Sequence, residues 1–213
     1  LKNACKTLRA DRDLVLTALK SSGFALQYAS KELRADREVV LTAVKFDIKR
    51  WDYEFGRVLK YAAANLKADR EIVLEAVKSY GLALKHTSDL LKSDREIVLT
   101  AVKQNGDALK YADKKLRGDR DFVLASVKTD GDVLRYVSET LRADREIVLA
   151  AVKSRGDALG YASKELRADR EVVLAAVKSD PIVLEYVEDQ FNSDNEIVLA
   201  AVESQGDVLG ECF

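Results

Sequence analysis

The chain has 213 residues, 47% apolar and 33% charged, with 35 basic residues against 36 acidic ones. That balance gives no reason to expect an anionic partner by default, and the longest apolar runs, such as Ile147–Val152, are too short to span a membrane. One histidine (His86) and two cysteines near opposite ends (Cys5 and Cys212) supply no zinc set, Ser-His-Asp triad, Cys-His dyad or disulfide, and no glycine-rich phosphate loop occurs.

Along the chain, an Asp-Arg-acid signature begins at Asp11 and returns at Asp36, Asp69, Asp94, Asp119, Asp144, Asp169 and, with Asn195 replacing the Arg, at Asp194. The interval is 25 residues throughout, except for one of 33. This assigns seven full repeats to 11–193, partial repeats to 1–10 and 194–213, and an eight-residue insertion within 46–55. Both ends fall partway through a repeat, so the chain reads as an excerpt of a longer array.

With the Asp as position 1, apolar residues occupy positions 4, 5, 6, 8 and 9, then 15, 16, 19 and 23. Both sets follow helical spacing, so each repeat is expected to form two helices. The Asp is the natural N-cap of the first helix, and the acid two places on suits its positive end. Lys at position 10, as in Lys153, suits the opposite end, and Gly at position 13, as in Gly156, is expected to stop the helix in a left-handed conformation. Pro181 takes that slot once. A second helix of about ten residues should then end near the basic residue at position 24. Leucine-rich repeats share the period, but they require an L-x-L strand and a recurring Asn or Cys that this chain lacks. Helices this short are marginal alone, so stacking must supply the core, with Val148, Leu149, Val152, Leu159, Ala162 and Leu166 facing their neighbouring counterparts. The expected fold is all-α, an α-solenoid of stacked 25-residue helix–turn–helix repeats.

The string DRE-x-V-L-x-A-V-K-x-x-G-x-A-L-x-Y-A-S-x-x-L-R, seen whole in 144–167, resembles the tandem repeat of domain of unknown function family 4116. The resemblance covers the chain apart from the insertion, and it implies a repeat scaffold with no established activity and no catalytic residues to carry over. The last unit departs from the pattern at Asn192, Asn195 and Glu203, as capping repeats often do.

Three features are candidates for function. The insertion holds the only Trp. Continuing the helix through it places Ile48, Trp51 and Phe55 on the stripe of Val40, Leu41 and Val44, with Phe46 and Tyr53 opposite. The stripe is either covered within the array or forms an aromatic docking ridge. Position 18 carries Tyr28, Tyr61, Tyr111, Tyr136, Tyr161 and Tyr186, with His86 as a substituted member. These rings either wedge between second helices or present a contact stripe. Basic rows at positions 2 and 24 could track phosphates, but flanking acids favour ion pairs within and between repeats. The expected function is a non-enzymatic scaffold or docking subunit for other proteins, with no cofactor. The alternatives are a nucleic-acid-binding solenoid, which the paired charges disfavour, or a spacer array.

Overall fold

In the computed structural model, residues 1–47, 58–185 and 187–210 are described. The chain forms two compact units, Leu1–Asp113 and Lys114–Phe213. The first helices of the repeats are α1 (Arg12–Ser21), α2 (Arg37–Phe46), α3 (Arg70–Ser79) and α4 (Arg95–Gln104) in one unit, and α5 (Arg120–Val127), α6 (Arg145–Ser154), α7 (Arg170–Ser179) and α8 (Asn195–Gly210) in the other. No strand occurs among the described residues. Within each unit the architecture is an all-α array of stacked repeats, as the periodicity predicts.

Each first helix starts where an Asp carboxylate satisfies orphan amides. Asp36 accepts from the Val39 N–H at 3.0 Å, and Asp144 accepts from Glu146 at 3.0 Å and from Ile147 at 3.2 Å. The other end differs from the expectation. Position 12 leaves the helix in extended backbone (Tyr80 φ −151°, ψ 103°; Arg155 φ −151°, ψ 116°), a conformation any residue adopts. The glycine that follows is not left-handed; it is buried against the next repeat. A Cβ on Gly81 would overlap the Ala101 carbonyl oxygen, and one on Gly131 would overlap that of Ala151. The neighbour's backbone, rather than a cap, dictates glycine here. The last first helix, α8, runs straight through Gly206.

The expected ten-residue second helix is also replaced. Six residues from the glycine to the tyrosine form a 3₁₀ turn, as in Gly131–Tyr136 and Gly156–Tyr161. An extended residue interrupts the chain (Val137 φ −81°, ψ 169°; Ala162 φ −67°, ψ 162°), and a single helical turn follows, such as Glu139–Arg142 or Lys164–Arg167. The break frees the N–H at position 20 to bond the position-24 carbonyl of the preceding repeat. Ser30 bonds Arg9 at 2.9 Å, Ala63 bonds Arg34 at 2.9 Å, Ser88 bonds Lys67 at 2.9 Å, Ser138 bonds Arg117 at 3.1 Å and Ser163 bonds Arg142 at 2.8 Å. One inter-repeat hydrogen bond thus takes the place of a helical one and joins successive units.

The core lies between repeats. Ile147, Val148, Ala151, Val152 and Ala158 are 0% exposed, and Leu159, Ala162 and Leu166 are buried. Full burial of a Val, Ile or Leu contributes about 1.5–3 kcal/mol each, which stabilises helices too short to persist alone. Leu149 is the exception to the expected core set, being only half-buried. Position 6 lies about 130° from the centre of the stripe formed by positions 4, 5, 8 and 9.

Candidate functional site

Of the insertion residues, Phe46 ends α2 and is half-buried. Ile48, Trp51, Tyr53 and Phe55, and likewise Tyr186 of the tyrosine row, lie outside the described residues.

The remaining position-18 residues close the 3₁₀ turns or, at Tyr61, a short helix, and Tyr28, Tyr61, Tyr111, Tyr136, Tyr161 and His86 are all half-buried. Neighbouring side chains frame several rings. Phe24 meets Tyr61 edge-on, with centroids 5.5 Å apart and planes at 86°. Arg135 lies 4.6 Å from the Tyr136 centroid and Lys110 lies 5.1 Å from that of Tyr111, within reach of cation–π attraction. Tyr61, Tyr111 and Tyr136 are thus framed by neighbouring side chains, and every described member of the row keeps part of its surface in solvent.

The basic rows serve the joints between repeats. Within each unit the position-2 arginines Arg12, Arg37, Arg70, Arg120, Arg145 and Arg170 reach the N-cap Asp and the following Glu of the next repeat. Arg37 Nε lies 2.8 Å from Asp69 and Arg120 Nε lies 2.7 Å from Asp144. Arg170 bridges Asp194 at 2.7 Å and Glu196 at 2.8 Å. Arg70 and Arg145 make the same double contact with Asp94 and Glu96, and with Asp169 and Glu171. These bonds shift both partners. Arg120 holds the Asp144 carboxyl below its usual value, reinforced by the Ile147 N–H, while the Val39 N–H and then Arg12 lower Asp36. Burial pushes Asp69, Asp94 and Asp169 upward, but the arginine and amide bonds outweigh it and the net shift is down. At position 24 the cations cap backbone: Arg9 donates to the Ala4 and Lys2 carbonyls, each at 2.9 Å, and Lys67 donates to the Lys60 carbonyl at 2.8 Å.

The sequence reading overlooked one row, at positions 6 and 10. Position 6 is Leu in every first helix, half-buried at Leu16, Leu41, Leu74, Leu99, Leu124, Leu149 and Leu174 and 55% exposed at Leu199. Position 10 is an exposed Lys at the C-terminal end of each of α1 to α7, in the helix or, at Lys128, as its C-cap. Lys78 pairs with Glu75 at 2.9 Å, whereas Lys20, Lys103, Lys128, Lys153 and Lys178 form no ion pair among the described residues. Between α5 and α6 this row opens a cleft of about 530 Å³ lined by Leu124, Lys128, Glu146, Leu149, Ala150, Lys153 and Ser154. The signal was available, because position 6 falls on the far side of the wheel from the core stripe yet is uniformly Leu.

Among the described residues, no group of three or more His, Cys, Asp or Glu is placed to hold a metal ion, and no helix is long and apolar enough to cross a membrane. Fold and surface together define a helical tandem-repeat protein whose charged rows join its own repeats. The chain belongs to the family described as Domain of unknown function (DUF4116), which matches residues 11–67, 54–89, 69–117, 119–167 and 169–212. Segments such as 119–167 each take in two of the 25-residue units. Searches of curated proteins and of solved structures each returned no match.

Proposed function

We propose that the chain is a non-enzymatic docking scaffold that binds other proteins along its repeated surface, within a larger assembly. The observation that carries this reading is the half-buried tyrosine row, a regular series of rings, several framed by neighbouring side chains, that keep part of their surface in solvent. Tyr is favoured at protein interfaces because it offers large contact area with little conformational entropy to lose. The charged rows support the same reading from the other side. With the position-2 arginines bonded to carboxylates of the next repeat, little of that charge is left to track a phosphate backbone.

The test is affinity capture from native lysate with three baits: the intact chain, a chain lacking Asp47–Glu54, and a Tyr111→Ala/Tyr136→Ala/Tyr161→Ala variant. Circular dichroism establishes that each is folded. A defined set of proteins held by the intact chain and lost with either altered bait is the expected result, and it assigns the docking site. An intact chain that retains no protein above background overturns the scaffold reading.

A further inference from the structure

The row at positions 6 and 10 has a chemistry that selects its occupant. Leu124 and Leu149 are only half-buried although their helix neighbours at positions 5 and 9, such as Val148 and Val152, are wholly buried. Lys128 and Lys153 flank them without carboxylate partners, while Glu146, the one acid lining the cleft, is held by Arg120. The face thus combines apolar steps with positive charge that no carboxylate among the described residues compensates. Packed helices sit about 8–10 Å apart, so successive leucines should recur at about that spacing. A polyproline-type strand advances about 3.1 Å per residue with three residues per turn, which returns every third side chain to one face after about 9 Å. The two periods match. The lining carries no aromatic ring, and single-stranded nucleic acid needs such rings to stack its bases.

We infer that this row is a docking track for an acidic protein segment in extended, polyproline-like conformation with an apolar side chain at every third residue. The inference rests on the docking-scaffold reading and names a surface and a partner chemistry for it. Each apolar side chain of the segment settles between adjacent position-6 leucines, and its intervening carboxylates lie over the lysines. Electrostatic attraction sets the approach and the leucine spacing sets the register.

The test uses the whole chain and a fluorescent peptide of repeated Leu-Glu-Pro, read by anisotropy at low and moderate salt. Three comparison probes accompany it: the same peptide with Ser for Leu, one of equal composition with its leucines clustered, and oligouridylate RNA. The Leu-Glu-Pro peptide should bind most tightly, lose at least about fivefold in affinity to a folded Lys128→Glu/Lys153→Glu variant, and couple through carbodiimide to Lys128 and Lys153. Failure of that peptide to bind overturns the inference. Equal binding of the Ser or clustered peptide, or an unchanged affinity for the variant, also overturns it. Binding of the RNA alone, lost in the variant, overturns it and assigns the lysines to phosphate. The lysate capture separates this inference from its parent. If Lys128→Glu/Lys153→Glu keeps the captured proteins, the track falls and the scaffold stands; if no bait captures any protein, the scaffold itself falls.

Discussion

A single methyl group distinguishes two kinds of glycine in this array. At Gly131 the added carbon would overlap the Ala151 carbonyl and crowd Arg155, while at Gly160 it would meet nothing within 4 Å. Gly131→Ala should therefore destabilise by about 1–3 kcal/mol, the usual range for overpacking a tight joint. Gly160→Ala should stabilise by up to about 1 kcal/mol, through loss of unfolded-state freedom. Urea titrations followed by circular dichroism measure both, and equal effects would show that the joint is looser than it looks. The carboxylates give a second prediction at this scale. Asp36, Asp69, Asp94, Asp144 and Asp169 are lowered by their amide and arginine bonds. In the unfolded chain these groups bind protons at about pH 3.9, before the folded chain does. Their contribution is full above that value and is lost progressively as pH falls below it through the lower folded values. Asp132 acts in the opposite sense, being raised by burial despite Arg155 at 3.0 Å, but it is one group against five. The melting temperature should hold steady down to about pH 5 and then drop. Replacing Arg120 by Gln should shrink the drop, because Asp144 loses its largest lowering influence.

At the scale of the element, the break in the second helical segment tests how the repeats are joined. Ser138 has φ −64° and ψ 155°, and Val137 before it is extended at φ −81°. A proline fits that backbone on both counts, so Ser138→Pro removes the N–H that bonds the Arg117 carbonyl and, with the side chain, an exposed hydroxyl contact with Thr140. The expected cost is about 1 kcal/mol, the net worth of one hydrogen bond, seen as faster amide exchange on both sides of the joint. No cost at all would assign the break to side-chain packing alone. This junction was not legible in the sequence, whereas the first helices were. An N-cap Asp, a following acid and apolar residues at positions 4, 5, 8 and 9 all pointed to one answer. Positions 15, 16, 19 and 23 fit a continuous helix by spacing, but spacing does not reveal that the position-20 N–H has a better acceptor in the preceding repeat. The glycine was misread for the same reason, since its constraint comes from an alanine carbonyl 20 residues further on. Leu149 was assigned to the core because apolar character was counted without regard to angle. Of the candidate site, the tyrosine row and the arginine pairing could be read from residue type and period, whereas the lysine row gained meaning only once its lack of carboxylate partners was known.

For the molecule as a whole, the same contacts recur at successive joints, so removing one complete repeat should leave a chain that still matches itself. Deleting Asp144–Ala168 brings Asp169 and Glu171 to the place where Arg120 now holds Asp144 and Glu146, and puts Ala176 where Gly131 now meets Ala151. The apolar set is conserved as well, because Val172, Val173, Ala176 and Val177 are as fully buried as Ile147, Val148, Ala151 and Val152. What is lost is one interface between neighbours. In a quasi-one-dimensional array, stability is approximately a sum of repeat terms and nearest-neighbour terms. The shortened chain should keep its helicity per residue and melt cooperatively at a lower temperature. Deleting only Asp157–Ala168 removes fewer residues but shifts every later repeat out of register. Arg120 still meets α6, but the 3₁₀ turn that leads from α6 to α7 and the Ser163 bond to Arg142 of the preceding repeat are gone. That version should lose more helicity and more stability than the larger deletion, as read by circular dichroism and calorimetry. The ordering decides the matter: if the smaller deletion is the better tolerated, the energy resides in individual helices rather than in the joints.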